Sequence, residues 1–144
     1  MKAEAYLKLT KRHEKEMNEF PIAYAFDGKQ LEAALEKLGA TKEECVTVFN
    51  MGDVMKKVDV PRFKAMLKRH KEELLEAMKD DKFAEEAFLY EMDNHEYAIN
   101  WSGDEDVLAC FNMDVAKLRE MGLTGAYRRA RIQHMKNAEE WGMI

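Results

Sequence analysis

A chain of 144 residues with a formal net charge of −5, 47% apolar and 35% charged residues, has the composition of a folded globular protein and excludes a disordered chain or a disulfide-stapled miniprotein. No apolar run approaches the roughly 20 residues a membrane-spanning helix needs, and no secretory apolar region leads the chain. One compact cytoplasmic domain is expected, with Cys45 and Cys110 as reduced, half-buried thiols, far apart and without CxxC spacing.

Lys2 to Glu19 carries Tyr6, Leu9, His13 and Met17 at helical spacing among charged residues, which predicts an amphipathic surface helix. Pro21 ends it. Phe20, Ile22, Tyr24 and Phe26 then alternate with Ala23 and Ala25, predicting a strand over residues 20–26. Asp27-Gly28 turns into a helix with Leu31, Ala34, Leu35 and Leu38 inward and Gly39 as its stop, and Thr41 with Glu44 has capping-box spacing. The β-branched run from Val46, the turn at Gly52-Asp53 and the run from Val54 predict a hairpin with strands at 46–50 and 53–58.

Asp59 and Pro61 start the next helix, whose stripe Phe63, Met66, Leu67, His70, Leu74, Leu75 and Met78 keeps a strict helical period. After Asp80-Asp81, the residues Phe83, Ala84, Ala87, Phe88 and Met92 define another helix, expected to pair antiparallel with its predecessor. Asn94 is the expected left-handed stop, and Tyr97, Ile99 and Trp101 alternate as a strand over 97–101. The remainder reads as helical. Asp104 or Asp106 opens a short helix with Val107, Leu108 and Phe111, Asp114 caps another that Gly122 ends, and Thr124 caps a last one containing Ala126, Tyr127, Ala130, Ile132, Met135 and Trp141. The fold class is therefore α+β: a mostly helical single domain of six to seven helices with a small, mainly antiparallel sheet of three to four strands.

Two runs, Phe20-Pro21-Ile22-Ala23-Tyr24-Ala25-Phe26 with Lys29-Gln30-Leu31 and Leu38-Gly39, and Phe88-Leu89-Tyr90-Glu91-Met92-Asp93-Asn94-His95-Glu96-Tyr97, carry a resemblance. Over roughly residues 20 to 130 the chain resembles a family of small uncharacterised proteins of bacteriophages and mobile elements in Firmicutes-type bacteria. That resemblance implies a setting and carries no catalytic residue.

Charge is uneven. Phe83 to Asp106 holds eight Asp or Glu residues and no Lys or Arg, an arrangement that repels anions and attracts a basic surface. With the phage-like setting, this points to a non-catalytic accessory protein that binds a host macromolecule, such as a host or defence protein, through Glu85, Glu86, Glu91, Asp93, Glu96, Asp104 and Glu105. An ordinary solvated acidic face is the plainer account. The alternative is a small-ligand or nucleotide binder, in which Arg128 and Arg131, three residues apart on the last helix, clamp a phosphate with Tyr127, His70 and His95 nearby. The same arginines are equally suited to pair with the acidic band.

Asp93, His95 and Glu96 are metal-ligand types, but their spacing matches neither HExxH nor an EF-hand loop. The sequence also lacks a P-loop, GxGxxG or GxSxG. No metal or cofactor is expected, catalysis is the less favoured reading, direct nucleic-acid binding is not expected from the negative balance, and self-association stays open.

Overall fold

The computed structural model describes residues 3–94 and 103–142. Among them are seven α-helices and a three-stranded antiparallel sheet, a mostly helical α+β architecture as expected. The helices are α1 (Glu4–Glu19), α2 (Gly28–Leu38), α3 (Val60–Ala77), α4 (Asp81–Asn94), α5 (Gly103–Ala109), α6 (Val115–Glu120) and α7 (Thr124–Glu140). The strands are β1 (Ala23–Tyr24), β2 (Cys45–Val46) and β3 (Asp53–Lys56). The strand expected over 97–101 lies outside the described residues. No described helix is long and apolar enough to cross a membrane. Contacts group the chain into two compact units: a sheet unit, His13–Arg69, and a helical unit, Met1–Arg12 with His70–Ile144.

In the sheet unit β3 is central, in the order β1-β3-β2, with Ala23 opposite Val54 and Cys45 opposite Lys56. A period of two sends Val54 and Met55 to opposite faces, yet both are buried because each face has its own cluster. Val54 packs with Ala23, Ala34 and Leu38, and Met55 packs with Phe20, Phe63 and Met66. The local signals around α2 are met. Asp27 caps it by accepting from the Gln30 N–H at 2.8 Å, Gly39 ends it at φ 63°, and the Thr41 N–H donates to Glu44 Oε1 at 3.0 Å.

The strands are shorter than the alternation predicts. Over 20–26 just Ala23 and Tyr24 are extended in the sheet; Ala23 is buried, whereas Tyr24 and Phe26 point to solvent. Alanine is the side chain small enough to let β1 lie close under α2, and Tyr24 and Phe26 take the open side. The strand expected at 46–50 stops at Val46 because the backbone from Val48 turns onto the Asp53 carboxylate, and the strand expected at 53–58 stops at Lys56, where a single 3-10 turn, Lys57–Asp59, leads into α3.

In the helical unit, α4 packs chiefly along α7, not along α3 as the short connection suggests. Ala84 and Ala87 on α4 and Ala126 and Ala130 on α7 are fully buried, and such small residues let two helices approach closely. Phe88 is packed edge-on by Phe111 and Tyr127, with ring centroids 5.0 and 5.1 Å away. Asp114 caps α6 by accepting from the Lys117 N–H at 2.8 Å. Thr124, the expected cap of α7, is instead its first helical residue; the buried Leu123 holds the cap position. Asn94 is helical and not a left-handed stop. The left-handed asparagines among the described residues are Asn50 and Asn112, both at φ 55°, the latter where the Met113 N–H returns to the Leu108 carbonyl at 3.1 Å.

Candidate contact surfaces

The sheet unit contains a carboxylate that sequence reasoning treated as a turn residue. Asp53 is buried in the first position of β3 and gathers the loop before it. Its oxygens accept from the Val48 N–H at 2.6 Å, Thr47 Oγ1 at 2.8 Å, the Phe49 N–H at 3.1 Å and the Met51 N–H at 3.2 Å. The Asn50 N–H donates to Thr47 Oγ1 at 2.9 Å, so the hydroxyl relays the loop to the same anion. Burial by itself would raise the pKa of Asp53, but these donations outweigh it and hold the carboxyl at about 2.

The clamped loop turns through two left-handed residues, Asn50 and Gly52. Gly52, at φ 81°, suits that left-handed turn, and its missing Cβ leaves the Phe26 ring room to lie over it. The Ala25 N–H donates to the Gly52 carbonyl at 2.8 Å, which ties the end of β1 to this loop. The result is an apolar display on two adjacent segments. Phe26 is 76% exposed, Met51 74%, Tyr24 59% and Phe49 46%. Phe49 is steadied from behind by Phe63, edge-on at 5.7 Å.

In the helical unit many of the expected contact carboxylates have internal partners. Glu91 is buried and accepts from the Tyr6 hydroxyl at 3.0 Å. Burial first, and the nearby Glu91 carboxylate second, push the Tyr6 hydroxyl up; burial and a hydrogen bond to Glu91 push the Cys110 thiol up to about 12. Asp93 lies 2.6 Å from Nδ1 of the buried His134 and accepts from Asn137 Nδ2 at 3.4 Å. Asp104 accepts from the Tyr127 hydroxyl, and Arg129 reaches both Asp81 and Glu85, the latter at 3.3 Å. Arginine of the closing helix therefore pairs with part of the acidic band. Glu105 is exposed and Glu86 half-buried, while Glu96 lies outside the described residues.

Those two arrangements, an aromatic loop in one unit and a polar network along α7 in the other, fall within one family match. A family model covers residues 5–135. The chain belongs to DUF7659, a family of unknown function. No curated protein and no solved structure matches it.

The DUF7659 match takes in the Asp53 loop and α7 as far as Met135. It also takes in the residues expected to hold a nucleotide, which the fold distributes differently. Tyr127 is buried against α4, Arg128 and Arg131 are exposed, and His95 is outside the described residues. The shallow depression lined by Arg128 and Arg131 is otherwise bordered by Ile132, Met135, Lys136 and Glu139, and neither Tyr127 nor the buried His70 reaches it. Among the described residues no three His, Cys, Asp or Glu side chains gather as metal ligands would.

Proposed function

We propose that this DUF7659 protein acts by contact: a non-catalytic accessory protein, working in the cytoplasm in the phage or mobile-element setting that its resemblance implies, which docks on a macromolecule of its host. The observation that supports this is the display of Tyr24, Phe26, Phe49 and Met51 around a loop fixed by Asp53. Aromatic and methionine side chains are the residues that dominate binding energy at protein interfaces. A loop held by several charge-assisted hydrogen bonds loses little conformational entropy on docking. Separately, in the helical unit, carboxylates such as Glu86 and Glu105 keep the preference for a basic partner read from the sequence.

Site-specific crosslinking tests the reading. A photoreactive residue in place of Met51 is expected to capture one macromolecule in host cells. The same residue in place of the exposed Glu36 on α2 is expected to capture none. Phe26→Ser and Asp53→Asn should each abolish capture, the first by removing an anchor and the second by releasing the loop. Equal capture from positions 51 and 36 would refute the proposal.

A further inference from the structure

On α7 the two largest aliphatic side chains point away from the core. Ile132 is 52% and Met135 37% exposed, while Ala126, Tyr127, Ala130, His134 and Ala138 take the buried side. The outward stripe reads Arg128, Ile132, Met135, Glu139 at spacings of four, three and four residues, which is the seam of a helix that pairs with another helix. All four side chains line the same shallow depression. Among the described residues neither Arg128 nor Glu139 has an ion-pair partner, in contrast to Arg129 one position along.

The order of the stripe selects its occupant. Read forwards it is cation, apolar, apolar, anion; read backwards it is anion, apolar, apolar, cation. We infer that this face of α7 is a self-association surface, on which a second copy of the chain lays its own α7 antiparallel. Such a pairing is isologous: Arg128 of each copy meets Glu139 of the other, and Ile132 meets Met135. A parallel arrangement would instead bring Arg128 against Arg128 and Glu139 against Glu139, so charge alone fixes the direction.

The stripe runs 12 residues, about 16 Å at the helical rise, so the pair buries less than the roughly 1,200 Å² of a standard stable interface. Arg131 and Lys136 border the depression with like charge in both copies. Both features make the association weak and reversible. It involves a different unit from the Phe26 surface and stands or falls separately.

Sedimentation equilibrium of the intact chain, from micromolar to millimolar concentration, is the test. A monomer–dimer equilibrium is expected. Arg128→Glu and Glu139→Arg should each weaken it by about tenfold or more, since each converts two attractive pairs into two repulsive ones. An equimolar mixture of these two single variants should associate more strongly than either alone, because the wholly acidic stripe of one then faces the wholly basic stripe of the other. Arg128→Glu/Glu139→Arg should return to the parent affinity. Both sites are exposed, and unchanged circular dichroism will confirm that the variants fold. A chain that stays monomeric at millimolar concentration overturns the inference. So does a dimer indifferent to Arg128→Glu, or a mixture that behaves like its separate components.

Discussion

The two units are held by different forces. In the helical unit the order comes from apolar area: Phe88, Phe111, Leu108, Val107 and Met92 are buried among alanines that let α4 and α7 close together. In the sheet unit the strands are two to four residues long, and the small clusters on the two faces of β3 leave the loop from Thr47 to Gly52 almost no core of its own. A buried anion replaces it. Asp53 supplies acceptors to backbone donors that a longer hairpin would have satisfied strand to strand. Where apolar burial is scarce, a single carboxylate can set a loop's conformation, and here it leaves Phe49 and Met51 free to face outward.

The largest effect is expected where area dominates. Phe88→Ala removes a fully buried ring that touches Phe111 and Tyr127, and should cost about 4 kcal/mol in denaturant titration. Asp53→Ala should cost about 2 kcal/mol, because it leaves part-buried backbone donors without their acceptor where Phe88→Ala leaves a cavity. Should Asp53→Ala prove nearly neutral, the contrast between the units fails.

Acid sharpens the same contrast. The folded-state pKa of Asp53, about 2, lies below the ordinary 3.8. Its contribution is therefore fully present above the unfolded-state value and is lost as pH falls through about 2. The amide signals of Val48, Phe49 and Met51, followed by NMR, should shift together in that window.

Sequence made the helical part legible because its signals are local. The stripe from Phe63 to Met78, the cap at Asp27, the stop at Gly39 and the Thr41–Glu44 box each depend on residues within a turn or two. What was hidden depends on partners distant in the chain. The alternation of Tyr24 and Phe26 with Ala23 and Ala25 does not say which side is covered; the closeness of Ala34 and Leu38 to Ala23 decides it. An Asp after a Gly reads as a turn residue, and nothing in the string shows that its carboxylate reaches back to Val48. His134 reads as one more polar residue of a basic helix until Asp93 is placed beside it. The acidic band was visible as composition, but which of its members face inward follows from what covers them: α7 over Asp93 and Asp104, and Tyr6 of α1 over Glu91. The apolar loop surface has no local signal either, since Tyr24, Phe26 and Phe49 sit in runs that read as strand.

The smallest effect completes the comparison. Arg129 bridges Asp81 and Glu85, and on paper two ion pairs rival the four donors around Asp53. The surroundings differ. The Arg129 side chain is about half exposed, so water screens its pairs and the long side chain gives up rotamer freedom to hold them, whereas the Asp53 carboxylate is removed from solvent and bound by backbone that is already positioned. Arg129→Ala should therefore cost under about 1 kcal/mol, and less at high salt. A loss as large as that of Asp53→Ala would mean that charge pairing, and not burial, carries the α4–α7 contact. The ranking of forces in the helical unit would then have to be reversed.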